Sequence, residues 1–421
     1  MKARFFFFLI LILVFMGGAM KRHFFSQPIP FAYDEPDYVA NSMLLSKFNF
    51  GINTDSFIWS QRWAYDQPHL YHFISALFLE SKYQQPIDTI LKENELNQRY
   101  NYGDPMVIFG KIGHGKVLSH PEISTYKKAY EVVLVTRELS FYFYIVSGIV
   151  LISIIYFFCH PFLGALISLF YLNDYFYNTS VLAQADGLLI LLILINILLS
   201  LAYIKAPKYR LILAMFMGVS CGLALSTKLN GGLTLISSIL CMFLVYFSEP
   251  KRTKLVVLFH LPAIIFMTII VFYWLNPYFY SNPVRNILNM FLYRIDMGSS
   301  HKLMFSNETL PAEPITKIVT IFSNLYQQTG QTMVFSFIFS LLSTIGSFLL
   351  LFLIFIKKVF ANLSTLFLLI SSTILFFIIL VYVPMNWSRY YYPAIIQNLL
   401  MASSIVAIVI KNRNYEKHKL S

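Results

Sequence analysis

Apolar runs close to the length of a bilayer span recur from one end of this chain to the other, and no other feature limits its fold so tightly. They fall at about 5–20, 138–158, 161–173, 187–204, 211–227, 231–247, 255–275, 332–356, 363–383 and 391–410. A helix needs roughly 20 predominantly apolar residues to cross the hydrocarbon core. The composition points the same way: 57% of the 421 residues are hydrophobic, 17% aromatic and 12% charged, where soluble domains carry about 25% charged residues. The expectation is an all-α fold, a polytopic membrane helix bundle of about 10–12 spans. It forms one membrane domain over 1–421.

The formal net charge of +12 would suit nucleic acid, but the placement of the charges argues for topology. With the N-terminus inside, the cytoplasmic segments hold Lys2/Arg4, His160, Lys205/Lys208/Arg210, Lys251/Arg252/Lys254, Lys357/Lys358 and Lys411/Arg413/Lys417/Lys419. The short outer loops hold few Lys or Arg, as the positive-inside rule requires. No nucleic-acid partner is expected; membrane lipids are. Both termini are expected in the cytoplasm. Lys21-Arg22-His23 directly follows the first run, a poor cleavage context, so that run is expected to stay as a helix. Cys159, Cys221 and Cys241 lie in or at the end of spans, and no disulfide framework follows from them.

Two long outer segments interrupt the pattern, 21–137 and 276–331. In the first, 34–82 predicts two interfacial helices, beginning at "DEPDYVANSMLLSK" and "DQPHLYHFISALFLESK". Each has a proline near its first turn, where the missing N–H costs nothing. Residues 83–130 predict a polar loop excursion with one short helix. Around "PVRNILNMFLYRI" the second segment predicts another amphipathic helix.

The ionisable groups that are hard to place converge on one side of the expected membrane: Asp34, Asp66, His69, Asp174, Asp186, Lys228 and Arg389. Such groups at membrane depth are costly to bury unpaired, which makes them candidates for function. In "YDEPDY" Glu35 reads as an N-cap and Asp37 as a first-turn acid on the helix dipole. Asp34 is left over as a general base for a hydroxyl. His69 and His72 share a helix face; they either ligate a metal with nearby carboxylates or bond lipid and backbone. Asp186 either caps its helix or joins the site. Lys228 either snorkels or meets a phosphate, and Arg389, beside Tyr390, has the fork of donors that fits one.

Taken in order, "YDE", "DQPHLYHFISAL", the "TK" turn and "RYYYPAI" resemble the GT-C glycosyltransferases, closest to the protein O-mannosyltransferase and aminoarabinose-transferase branch. The resemblance implies a bundle of about a dozen membrane helices with catalysis on the outer face. The implied donor is a polyprenyl-phosphate sugar and the acceptor a glycan, lipid or protein. It places the catalytic acid on Asp34, with Glu35 beside it as a second catalytic candidate. Substrate binding falls to Asp66, His69, Asp186, Arg137, Lys228, Arg389 and Tyr390. No cofactor is certain; a divalent metal ion is a candidate, with His69 and Asp186 as candidate ligands. The chain departs from the branch at Gln67-Pro68-His69, where Lys-Pro-Pro is common, and at Gln184, where an arginine often stands. The reaction expected is a single inverting displacement. Two other functions fit less of the pattern: an oligosaccharide ligase or polymerase using a lipid-pyrophosphate glycan, and a lipid or sugar transporter or flippase.

Overall fold

In hydrocarbon each backbone polar group must find its partner within the segment, and the apolar runs accordingly form helices. The computed structural model describes residues 2–25, 35–48, 68–94, 120–304, 306, 309–357, 359, 361–383 and 388–420, and among them there are helices and no strand. The chain opens with α1 (Lys2–Phe25). The first long segment between spans supplies α2 (Glu35–Ala40), which tightens into a 3₁₀ turn at Asn41–Lys47, then α3 (Leu70–Tyr83) and α4 (Ile87–Glu93). There follow α5 (His120–Ile154), α6 (Pro161–Tyr171), α7 (Asp174–Ser180), α8 (Asp186–Lys205), α9 (Arg210–Leu225), α10 (Leu233–Ser248) and α11 (Lys251–Trp274). The second long segment between spans supplies α12 (Pro283–Met304) and α13 (Pro314–Asn324). The bundle closes with α14 (Met333–Phe355), α15 (Leu363–Tyr382) and α16 (Ser388–Leu420).

Nine helices among the described residues are long and apolar enough to cross a membrane, one fewer than the sequence runs suggest. The difference is 161–173, where only Pro161–Tyr171 is helical, 11 residues in all. Eleven residues rise about 16 Å, too little for a full span. The short helix still joins the two ends of the bundle, and α1 shows it. Near the start of α1, Arg4 Nη2 donates to Tyr156 O at 2.8 Å; near its end, Arg22 forms an ion pair with Asp174. A π-helical turn at Ile155–Cys159 precedes α6.

Of the expected polar excursion at 83–130, residues 95–119 lie outside the described residues. Its short helix is present as α4, but α5 begins at His120, well before the apolar run at 138. Hydropathy marks where a helix meets lipid, not where its hydrogen bonds start.

α8 is apolar on every side, and such a helix belongs inside a bundle. It sits against α5, α9, α10 and α15, with 72% of its apolar window buried against 11% for α1. Apolar side chains gain nothing from meeting each other rather than lipid, so close packing must hold the spans together. Gly218 and Gly222 on α9 supply it: a Cβ at Gly218 would stand 2.5 Å from Ile264 O, and one at Gly222 2.6 Å from Val271 Cβ on α11. Within the bundle Asn196 Nδ2 donates to Ser238 Oγ at 3.0 Å, linking α8 to α10.

Alternation of the spans puts Lys205, Lys208, Arg210, Lys254, Lys357 and Lys411 at one end of the bundle. There Arg210 pairs with Glu249 at 2.8 Å. Arg22, Asp174 and the first-loop helices mark the other end.

Candidate functional site

The first-loop helix at "EPDYVA" begins at Glu35 itself. The expected N-cap role is not what occupies the carboxylate. Arg137 donates to it twice, Nε to Oε1 at 2.7 Å and Nη2 to Oε2 at 2.6 Å. The backbone N–H of Ala183, just ahead of α8, donates to Oε1 at 2.7 Å. Glu35 is fully buried and Arg137 nearly so. This forked pairing matches guanidinium to carboxylate geometry, and it fastens α2 to α5 and to the turn before α8. Asp34, the residue bonded to Glu35, lies outside the described residues, as does Asp66.

A second pair stands close by. Asp186 occupies the first turn of α8, behind Ala185 as N-cap, and Lys228 Nζ donates to both its carboxylate oxygens at 2.8 Å. The turn carrying Lys228 is drawn tight against the end of α9. A Cβ at Gly231 would stand 2.1 Å from Ala224 O, so only glycine fits. From the sequence Asp186 stands between cap and site; the structure gives its side chain to Lys228.

His69 sits beside that turn. Its backbone N–H donates to Asn276 Oδ1 at 3.3 Å, and Asn276 Nδ2 donates to Ser226 Oγ at 3.2 Å. The next residue, Leu70, donates its N–H to Ser226 O at 2.8 Å. Asn276 was not among the residues singled out from the sequence. As a lone asparagine before Pro277 it looks like turn chemistry, and nothing local shows that it ties the first long inter-span segment to the 226–228 turn. On the other side, His72 Nδ1 shares a hydrogen bond of 3.1 Å with the carbonyl of Tyr38, which joins α3 to α2. Burial, and secondarily the neighbouring His72, lowers the His69 pKa to about 3. Burial lowers His72 to about 4 against the opposing pull of the Tyr38 carbonyl. Both imidazoles are therefore neutral at ordinary pH.

Tyr71 lies within reach of both ion pairs. Its hydroxyl shares a hydrogen bond of 3.1 Å with Ser140 Oγ. Burial first, and the negative charges of Glu35 and Asp186 after it, hold the phenol well above its usual range. Tyr175 on α7 is raised likewise, by burial and then by Asp186. Both phenols stay protonated and can act as neutral hydrogen-bond donors.

Arg389 and Tyr390 open α16, with the guanidinium 5.5 Å from the Tyr390 ring centre. They join this end of the bundle through Tyr392, whose hydroxyl meets Tyr171 OH at 2.6 Å and Ser180 Oγ at 2.7 Å. Tyr392 in turn packs edge-on against Tyr175, 6.3 Å between ring centres. The structure thus brings Glu35 to Arg137, Asp186 to Lys228, and His69 to the Lys228 turn. It sets Arg389 and Tyr390 on the neighbouring wall formed with α6 and α7. Asp174 is engaged by Arg22. Among the described residues no three His, Cys, Asp or Glu side chains gather as a metal-ligand set; of the two candidate ligands, Asp186 holds Lys228, and His69 is buried beside Asn276.

Two charge-compensated pairs, two neutral phenols and two neutral imidazoles thus line one end of the bundle. The fold defines a multi-pass integral membrane protein, its long peripheral helices in contact with lipid. No protein-family model, curated protein or solved structure matches the chain.

Proposed function

We propose that the chain is an integral-membrane glycosyltransferase that moves a sugar from a polyprenyl-phosphate donor to an acceptor hydroxyl or phosphate on the outer face. One observation carries the reading: the segments holding Glu35, His69, Arg137, Asp186 and Lys228 meet at one end of the bundle through two buried ion pairs. The basic span ends lie at the opposite end, which is the cytoplasmic end by the positive-inside rule.

The chemistry asks little of a protein. A polyprenyl phosphate leaves readily, so the reaction needs one base for the acceptor and donors for the departing phosphate. Asp34 is the base in this reading: it takes the acceptor proton as the acceptor oxygen bonds to the anomeric carbon. The bond from that carbon to the phosphate oxygen breaks, its electron pair leaves with the phosphate, and the anomeric configuration inverts. Glu35 holds the backbone next to Asp34 in place through Arg137 and Ala183. Lys228 and Arg389 meet the phosphate, with Asp186 orienting Lys228. Asp66, His69 and Tyr390 contribute to substrate binding. A divalent metal, if one takes part, would draw on His69 and Asp186. The acceptor is a glycan, a lipid or a protein.

The test is incubation of the purified protein in lipid nanodiscs with a panel of polyprenyl-phosphate sugars, following release of the polyprenyl phosphate. One donor should be consumed, and Asp34→Asn should lower that rate by about 10²–10⁴-fold, the usual contribution of a general base, with the fold intact. Consumption of a pyrophosphate-linked glycan instead would assign a ligase or polymerase. Substrate counterflow with no transfer product would assign a transporter. Near wild-type transfer by Asp34→Asn would remove the base assignment.

A further inference from the structure

Between the end of α11 at Trp274 and the start of α14 at Met333, the chain builds a helix of 22 residues, α12. Val284, Leu288, Phe291, Leu292 and Ile295 recur along it at the spacing of one helical face. These five side chains are 53–80% exposed. The opposite face is turned inward: Asn286 and Met290 are buried, and Asn286 Nδ2 donates to Tyr278 O at 2.6 Å. Arg285, Arg294 and Asp296 interrupt the helix, and it is not among the candidate spans. It is neither a span nor a core helix, because its apolar side faces out.

The neighbouring elements identify what covers that side. On α11 the lipid-facing surface runs through Phe266, Ile269 and Ile270 to Tyr273 and Trp274, all exposed. A Tyr-Trp pair at the end of a span marks the headgroup level. α12 starts a few residues later, after the buried turn at Pro277–Phe279 that both helices contact, and its exposed face is apolar as well. On α13, Ile315, Ile318 and Val319 are exposed in the same way. A helix with one apolar face and basic residues beside it at the edge of a membrane surface has the form of a helix lying in the interface.

We propose that α12 lies along the bilayer surface at the candidate-site end, its Val284–Ile295 face in the acyl-chain region, and that this seat anchors the polypeptide covering the site. The connection is short. Asn286 holds the Tyr278 carbonyl; two residues earlier Asn276 accepts from the His69 N–H and donates to Ser226. Ser226 O accepts from Leu70 N at 2.8 Å, and Lys228 follows two residues on. The seat does not depend on sugar transfer, since both of its readouts are structural.

The test uses the full chain in phosphatidylglycerol/phosphatidylethanolamine liposomes, in a Cys159→Ser background, with an environment-sensitive fluorophore on Leu288→Cys, Ile295→Cys or Asp296→Cys. Doxyl-labelled lipid should quench the probes at 288 and 295 several-fold more than aqueous iodide does, with the order reversed at 296. Iodide quenching at 288 and 295 would place the face in water, and protection from both quenchers would place it against a second protein copy; either result overturns the seat. A Leu288→Glu/Phe291→Glu variant, checked for retained monodispersity, should exchange the amide hydrogens of residues 69 and 70 several-fold faster than the unmodified protein. Unchanged exchange, with the probes still lipid-quenched, would overturn the anchoring.

Discussion

Replacing Arg137 with methionine would leave the Glu35 carboxylate buried without its guanidinium partner, the Ala183 N–H still donating to it. Two opposite charges about 2.7 Å apart attract by about 6 kcal/mol at an effective dielectric of ~20. Desolvation of both groups offsets most of that, so the pair adds little compared with apolar residues of similar size. The asymmetry is what can be measured. Removing one partner of a buried pair costs about 3–5 kcal/mol, because the survivor is uncompensated. Arg137→Met and Glu35→Gln should each lose about that much. The double variant leaves neither charge and should lose less than the sum of the two by at least about 2 kcal/mol, within the range measured for close charge pairs. The assay is denaturation of the purified protein in mixed micelles, followed by tryptophan fluorescence for all four proteins of the cycle. Single losses that add to within about 0.5 kcal/mol, as independent sites do, would refute the claim that these two charges depend on each other.

Three further outcomes follow from the same structure. The unfolded chain protonates His69 and His72 below their ordinary pKa of about 6.5, whereas the native chain resists until about 3 and 4; stability is therefore complete above pH 6.5 and falls on acidification, by about 4 kcal/mol in all at pH 5. A His69→Gln/His72→Gln variant should flatten that dependence, and a parallel fall in both proteins would contradict it. Gly218→Val should cost about 1–3 kcal/mol by overpacking, since the added carbon meets the carbonyl oxygen of Ile264 rather than a movable side chain; an unchanged denaturation midpoint would mean that α9 and α11 are not so close. Asn276→Leu removes the acceptor for the His69 N–H and should cost about 1–3 kcal/mol for an unsatisfied buried donor, measured by the same denaturation, with no loss expected if His69 is not held there.

The bundle was legible because the membrane imposes a length on each apolar run, and that length survives in the sequence without knowledge of packing. α2 and α3 were legible for a related reason, a proline near the first turn and mixed polarity beyond it, and α12 by its amphipathic pattern. The short α6 was not, because an apolar run of 13 residues does not reveal that its last two leave the helix. The beginning of α5 at His120 was hidden by its polar first turns. The candidate site divides in the same way. Glu35, Asp186, Lys228 and His69 stood out one by one, since ionisable residues are few in this chain and sit at span ends, whereas Arg137 came in only through the family resemblance. Their pairing did not: Glu35 and Arg137 are 102 residues apart and Asp186 and Lys228 are 42 apart. Arg137 read as a cation for substrate phosphate, and no local pattern announces the carboxylate opposite it.

That pairing bears on how the site could work. In the proposed reaction a phosphate arriving at Lys228 would meet a cation already balanced by Asp186, and its binding would extend a charge network rather than fill an empty one. Carboxylate and phosphate would share the ammonium and its three donors. Arg137 has less to spare, since Glu35 occupies two positions of its fork and Ala183 adds a further donor to the same carboxylate. The two pairs thus suit different tasks. Glu35–Arg137 sets the path of the backbone at Glu35, while Asp186–Lys228 holds a point charge on a flexible stem that can turn toward a ligand. Apolar residues of matching volume would serve stability as well or better at either place. The retention of charge there, in a chain with 20 Asp and Glu among 421 residues, is better explained by a need for charge at this end of the membrane than by a need for strength.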